Sequence, residues 1–300
     1  MDYKSRKKAR QIVTAIVLLV FIIIAVLSAL GKTDDIYSAV GLNKGKVTPT
    51  DDFVRVIDVG QGDSILICSN GRSALIDTGD GTTDICSKLR SYGIREIDAL
   101  LISHIHTDHT GGFDDIASRL TVDNLIMPDF GKTDENVKPV NTVVRSVLAE
   151  DGEMFTAKQG MNFCVGDFEI TVIGYYTDAK DENNRSVIAM AEIDGRRFLF
   201  TGDAESNAET RLLEDGINVD CDVLKVGHHG SSYSCSKDFL KSCTPEYAAI
   251  SCGVGNQYSH PHDVTLSRLS EAGVDIYRTD LNGDITFYVD NGKITVDTEK

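Results

Sequence analysis

From residue 53 onward, apolar residues come in short blocks that stop at glycine, asparagine or aspartate. That spacing predicts short strands punctuated by turns. Three pairs of blocks flank a two-residue turn: 64–68 and 73–77 across Asn70-Gly71, 187–193 and 198–201 across Asp194-Gly195, and 285–289 and 293–296 across Asn291-Gly292. Asn-Gly and Asp-Gly suit the tight hairpin in which both central residues need positive φ. Between these pairs, periodic stretches predict helices over 84–92, 140–150, 204–214, 237–242 and 264–272. Strands followed by helices in each half predict two sheets packed face to face with helices outside. No sequence repeat relates the halves.

Residues 12–30 follow another pattern, an uncharged apolar run of 19 residues behind Lys4, Arg6, Lys7, Lys8 and Arg10. As a helix it spans roughly 28 Å, close to the ~30 Å hydrocarbon core of a bilayer. The apolar core of a cleaved signal peptide is shorter, about 7–15 residues. The organisation predicted is therefore a cytoplasmic basic tail over 1–11, a single-pass transmembrane anchor over 12–30, a linker over 31–52 and one domain over 53–298. The basic cluster keeps the N-terminus inside and puts the domain outside the cell, at the cell membrane. A cleaved signal peptide is the alternative.

Several predicted strands end in groups that carry chemistry. After the apolar run Ile97, Ala99, Leu100, Leu101, Ile102 comes Ser103-His104-Ile105-His106-Thr107-Asp108-His109. Imidazole and carboxylate in the order H-x-H-x-D-H are ligands for Zn²⁺ or Mn²⁺. Asp77, at the end of Leu75-Ile76, is placed to hold a ligand histidine by its other ring nitrogen, or it is a turn aspartate. Asp203, after Phe198-Leu199-Phe200-Thr201-Gly202, can bridge two ions. Leu224-Lys225-Val226-Gly227-His228-His229-Gly230-Ser231-Ser232 brings two histidines, of which one is a ligand and the other a substrate contact. His260 can reach the same place from the loop after 248–252, whereas His262 faces solvent or caps the helix near Asp263. All seven histidines lie in these segments.

Charge narrows the substrate. Residues 1–30 hold five of the 30 basic residues and one of the 46 acidic ones, leaving a net charge of −20 on the remainder. Such a surface attracts nucleic acid poorly in bulk, although bound divalent cations reverse the sign locally. No basic and aromatic track marks a nucleic-acid path. The seven cysteines form no C-x-x-C pair. Either Cys235, Cys243 and Cys252 include a disulfide, or the thiols are small buried hydrophobes.

Together these residues resemble the metallo-β-lactamase superfamily over 53–296. The H-x-H-x-D-H cluster, Asp77 and Gly202-Asp203 are its general marks. VGQGDSILI, LKVGHHGSS, the N-x-Y-S-H-P loop and Tyr277-Arg278-Thr279-Asp280-Leu281-Asn282-Gly283 are similar to the extracellular metallo-hydrolase domain of ComEC competence proteins and their free-standing relatives. The resemblance implies a four-layer αββα sandwich and one or two Zn²⁺ or Mn²⁺ ions. It implies that His104 and His106 hold one ion, Asp108 and His109 the other, and Asp203 both, with His228 as the remaining ligand and His260 its substitute. The chain departs from the superfamily in having no histidine from 110 to 227; Asn183-Asn184-x-Ser186 stands in that place, with Asn184 on the substrate side. It also has a single candidate anchor and no multi-helix channel.

The function implied is a membrane-anchored extracellular phosphodiesterase or nuclease that uses metal-activated water. Asp108 orients the water, His229 or His260 protonates the leaving oxygen, and Ser231 and Lys225 contact phosphate. For Lys225 a buried structural role is the alternative. A hydrolase of a cell-wall phosphoester or lactone, and a non-catalytic metal-bearing binding protein, are the competing readings. Partners are the ester substrate, with nucleic acid as one form of it, and the membrane; no protein partner is expected.

Overall fold

The structure is a computed structural model that describes residues 51–129 and 152–300. The first half runs β1 (Phe53–Val56), β2 (Ile65–Ser69), β3 (Arg72–Ile76), α1 (Ile85–Ser91), β4 (Glu96–Leu101), α2 (Thr107–Thr110), α3 (Phe113–Arg119), β5 (Thr121–Met127) and β6 (Glu153–Thr156). The second runs β7 (Asn162–Val165), β8 (Phe168–Gly174), β9 (Ile188–Ile193), β10 (Arg196–Phe200), α4 (Ser206–Glu214), β11 (Val223–Lys225), α5 (Lys237–Cys243), β12 (Tyr247–Ile250), α6 (Asp263–Glu271), β13 (Asp275–Arg278), α7 (Thr279–Asn282), β14 (Ile285–Asp290) and β15 (Lys293–Thr298).

All three predicted hairpins form. Asn70-Gly71, Asp194-Gly195 and Asn291-Gly292 each take two consecutive positive φ values, joining β2 to β3, β9 to β10 and β14 to β15. The sheets have the orders β15-β14-β1-β2-β3-β4-β5-β6 and β13-β12-β11-β10-β9-β8-β7. Side chains of alternate residues point to opposite faces of a strand, so most of the strands feed two cores. Val54, Ile65, Ile67, Ala74, Ile76 and Leu101 meet Phe168, Ile170, Ala189, Phe198 and Phe200 between the sheets. On the outer face of one sheet, Leu66, Leu75 and Leu100 pack with Ile85 and Leu89 of α1 and Phe113 and Ile116 of α3. On the other, Leu199, Leu224 and Ile250 pack with Leu212 of α4, Phe239 of α5 and Leu269 of α6. The result is the αββα arrangement of two sheets between helices.

Four predicted helices correspond to α1, α4, α5 and α6, while α2, α3 and α7 are additions. Asp84 caps α1 by accepting a hydrogen bond from the Ser87 amide. The helix predicted over 140–150 and the anchor over 12–30 lie outside the described residues. Among the described residues no helix is long and apolar enough to cross a membrane.

One topological fact positions the chemistry. β3, β4, β5 and β6 are parallel, as are β10, β11, β12 and β13. Parallel strands return through crossovers, so their carboxyl ends collect at one edge of the sheet. The polar residues that terminate these strands are therefore gathered together.

Candidate metal centre

Four strand exits supply the site. Asp77 follows β3, Ser103-His104 follows β4, Asp203 follows β10 and His228-His229 follows β11. His106, Asp108 and His109 come from the turn into α2 and its first residues. Two glycines permit the close approach. A Cβ on Gly62 would lie 2.3 Å from the Asp108 carbonyl oxygen, and one on Gly202, where φ is +52°, 2.9 Å from the Ser103 Cβ. Gly62 thereby lets the Asp63 amide donate to Asp108 O at 3.1 Å, fixing the α2 turn against the first sheet.

Two donor sets share Asp203. Ligand atoms of His104, His106 and Asp203 lie within 4.8 Å of one another, as do those of Asp108, His109, Asp203 and His229. His109 Nε2 is 3.2 Å from Asp203 Oδ1, His229 Nε2 is 3.2 Å from Asp108 Oδ2, and His104 Nε2 is 3.8 Å from Asp203 Oδ2. His104 Nε2 and His106 Nδ1 face each other at 3.0 Å. His109 Nε2 and Asp203 Oδ1 are buried and form no hydrogen bond. Imidazole and carboxylate groups converging on one buried point fit a divalent cation, and the mixed set suits Zn²⁺ or Mn²⁺.

The rings are aimed by what holds their other nitrogen. His109 Nδ1 meets Asp77 Oδ2 at 2.8 Å, and Asp77 also accepts from the Ser103 amide at 2.7 Å and the Ser103 hydroxyl at 2.6 Å. His229 Nδ1 donates to the Ser251 carbonyl at 3.0 Å, and His104 Nδ1 lies 3.1 Å from the Ser103 hydroxyl. All three therefore turn Nε2 toward the centre, the arrangement that fixes tautomer and raises ligand basicity. Asp77 thus lies where the sequence puts it.

The electrostatics point the same way. Burial pushes the Asp203 carboxyl up, but His109 and His229 outweigh it and hold it well below the usual carboxylate range. Burial pushes His109 down, yet Asp203 and Asp77 raise it well above the ordinary histidine value. For His229, Asp203, Asp108 and Asp63 overcome burial and lift it to about 9. His104 is driven well down by burial and by its neighbour His109. Protons on His109 and His229 balance the buried carboxylates, a balance a cation takes over when it displaces them.

The structure corrects four expectations. His229, not His228, joins the four-donor set. Both residues take left-handed backbone (φ 47° and 53°), which swings His229 inward, 1% exposed. His228 is instead held through Nδ1 by Glu205 at 3.0 Å, with Nε2 3.8 Å from Asp203. Asn184 is no substrate contact, because its Oδ1 accepts from the Glu205 and Ala208 amides at the start of α4 and its Nδ2 donates to Asp181. Asn183, next to it, lines the cleft. Lys225 is fully buried and paired with Asp63 at 2.8 Å. Ser231 is buried in a turn whose carbonyl accepts from Thr265 and Ser234. His262 precedes α6, and its ring accepts from the Ser232 amide at 2.8 Å.

The cleft over the donors has a volume of about 360 Å³ and is lined also by Gln61, Asn183, His228, Tyr258 and His260. Sequence reasoning gave no role to Gln61, Asp63, Asn183, Glu205 and Tyr258, although the VGQGDS turn holds the first two, the Asn183-Asn184-x-Ser186 segment the third and the N-x-Y-S-H-P loop the last. A larger cavity of about 710 Å³, lined by Arg72, Asp98 and Phe163, lies elsewhere. Its Asp98 is already spent on Arg72 and the Ser73 amide.

Comparison with known proteins agrees with this geometry. The sequence profile of the metallo-beta-lactamase superfamily matches residues 57–160. The chain is 32% identical over 262 residues to ComE operon protein 3 of Bacillus subtilis, covering 79% of this chain and 33% of that protein. It is 31% identical over 245 residues to competence protein ComA of Neisseria gonorrhoeae, covering 80% and 33%. The chain thus spans about a third of the length of the curated relatives it matches. CmlA, a diiron beta-hydroxylase from Streptomyces venezuelae, superposes with a TM-score of 0.57 at 16% identity, over 85% of this chain and 59% of that one; this is a likeness of fold. Sequence, topology and donor set converge on one conclusion: the chain carries a metal-dependent hydrolase domain of the metallo-β-lactamase superfamily, related to the ComEC-like competence proteins.

Proposed function

We propose that this domain hydrolyses phosphodiesters, and that residues 12–30 anchor it with the active site outside the cell. The observation that carries the reading is the pair of donor sets sharing Asp203 at the floor of an open cleft. Two divalent ions held there by His104 and His106, by Asp108, His109 and His229, and by Asp203 between them would lower the pKa of water from 15.7 to about 7 and offset charge on a phosphoryl group. Ser103, which touches these histidines, is buried and donates its hydroxyl to Asp77, so it is not an exposed nucleophile that could do that work otherwise.

The protein's own groups supply the rest. Asp108 reaches furthest into the cleft of the carboxylates, its side chain 29% exposed, and is placed to orient the attacking water. The leaving oxygen needs a proton. His229 is committed through both nitrogens. His260 is lowered to about 4 by burial and by the neighbouring His229 and His228, so it carries no proton to give near neutral pH. His228 remains, oriented by Glu205 on Nδ1 with Nε2 toward the cleft. The acidic surface argues against a nuclease that tracks long polymers.

The test is metal analysis of the purified chain with activity on bis-p-nitrophenyl phosphate, plasmid DNA and a lactone, each with Zn²⁺ or Mn²⁺. Cleavage of the phosphodiester, abolished in Asp108→Asn, is the expected result. A metal-loaded protein that opens only the lactone overturns it in favour of another ester, and one that cleaves nothing makes the domain a binding protein.

A further inference from the structure

Four side chains in the cleft are not used by the hydrolytic chemistry. Tyr258 is 53% exposed and stacks on His260, with ring centroids 5.6 Å apart and an interplanar angle of 25°. His260 stacks in turn on His229 at 6.1 Å and 30°. The rings thus form a ladder from the donor cluster to the surface, and the outermost has a free face. The ladder is held rigidly. Asn256 Oδ1 accepts from the amides of Tyr258 at 3.2 Å and His260 at 2.9 Å, and its Nδ2 donates to the carbonyls of Gly253 and His260.

Two amides face the same cleft with groups unspent. Gln61 Oε1 accepts from the Gly253 amide at 3.2 Å, which leaves Nε2 as its donor. That atom is buried and has no partner among the described residues. Asn183 reaches His228 with one amide atom at 3.3 Å, and its other is buried and unpaired. Burying amide groups without partners is costly, so unspent ones in the wall of a cleft mark where a ligand completes them.

An aromatic face and two amides beside a site for phosphate match one kind of group: a planar ring with polar edges, joined to phosphate through a sugar. We propose that Tyr258, Gln61 and Asn183 form a subsite for a single nucleoside of the phosphoester substrate. Its base stacks on Tyr258 and its polar edges meet the two amides. The subsite rests on the phosphodiester reading above and narrows it. With a net charge of −16 on the chain and one free aromatic face, recognition is of one nucleoside rather than a long strand.

The experiment compares thymidine 5′-monophosphate with ribose 5-phosphate, which lacks the base, by calorimetry on the full metal-loaded chain. Stacking of one base predicts that the thymidine probe binds about 10-fold or more tightly. Tyr258→Leu should bring the two affinities together, while Tyr258→Phe, which keeps the ring, should preserve the gap. Circular dichroism checks that both variants fold. Equal affinities in the wild type, or a gap that survives Tyr258→Leu, overturn the subsite. Turnover is read separately. Base-dependent binding without phosphodiester cleavage sinks the proposed hydrolysis and leaves the subsite standing. Cleavage without base preference sinks the subsite alone.

Discussion

Replacing Lys225 with methionine separates a structural lysine from a substrate-binding one. Its ammonium is 2.8 Å from Asp63 Oδ2 and 2.9 Å from the Val226 carbonyl, and both side chains are sealed from solvent. At that separation two unit charges attract by roughly 6 kcal/mol for an effective dielectric of about 20. Much of that attraction repays desolvation, so the measurable cost of removing one partner is about 3–5 kcal/mol. Methionine keeps the volume and removes the charge, leaving Asp63 buried beside His229 at 3.4 Å.

The pH dependence sharpens the prediction. In the wild type, burial acts to raise the Asp63 carboxyl, but Lys225 and then His229 overcome it and hold it below the usual range. A depressed folded pKa contributes stability that is present above the unfolded value of ~3.9 and lost as pH falls through the folded one. In Lys225→Met burial dominates and the folded pKa rises above the unfolded value. Stability then falls as pH rises between the two, at about 1.4 kcal/mol per pH unit. Urea unfolding at pH 5 and pH 7, with metal and with chelator, measures it. Circular dichroism is the suitable signal because the chain has no tryptophan. The variant should be about 3–5 kcal/mol less stable at pH 7 and nearer the wild type at pH 5, and Asp63→Asn with Lys225→Met should recover most of the loss. A loss under about 1 kcal/mol at pH 7, or a larger loss at pH 5, refutes the reasoning. A fall in kcat/KM at unchanged stability would return Lys225 to the role of a phosphate contact.

Other outcomes follow from the same geometry. Asp203→Ala and His229→Ala should each retain less metal by mass spectrometry than His262→Ala, and equal contents would remove Asp203 from between the donor sets. Asp77→Ala, which frees the His109 ring without deleting it, should weaken metal affinity about 10–100-fold in a chelator competition; a loss as complete as that of Asp203→Ala would make Asp77 a direct ligand. Asn184→Ala should cost about 1–3 kcal/mol in urea, because two amides at the start of α4 lose their acceptor, with KM unchanged. Protease added to intact cells should remove the domain, and full protection of a tagged C-terminus would reverse the proposed topology.

What was legible in the chain follows from how local each determinant is. The Asn70-Gly71, Asp194-Gly195 and Asn291-Gly292 hairpins are written in adjacent residues, because few other pairs accept two positive φ values. The H-x-H-x-D-H cluster is local too, and the strand before it says where it emerges. α3 escaped because seven residues with only Phe113 and Ile116 buried make too short a periodic pattern. The Asp63–Lys225 pair escaped for another reason: Asp63 lies in the turn between β1 and β2 and Lys225 in β11 of the other sheet, and nothing in either neighbourhood names the other.

The hardest distinctions lay between adjacent residues. His228 and His229 are chemically identical, and so are Asn183 and Asn184; only the backbone tells them apart. At His228-His229 two successive left-handed residues reverse the direction in which each ring points, a conformation that side chains with a Cβ seldom take and that no glycine announces at those positions. At Asn183-Asn184 a short helical turn over 183–185 sends one amide to the cleft and the other to the start of α4. Such strain persists where surrounding contacts over-determine it. Here they include the Gly202 carbonyl on the His228 amide and the Ser251 carbonyl on the His229 ring. The sequence therefore discloses which chemistry is present. Which of two neighbours performs it is decided by partners elsewhere in the chain: carbonyls just after β10 and β12 that accept from His228 and His229, and amides at the start of α4 that donate to Asn184.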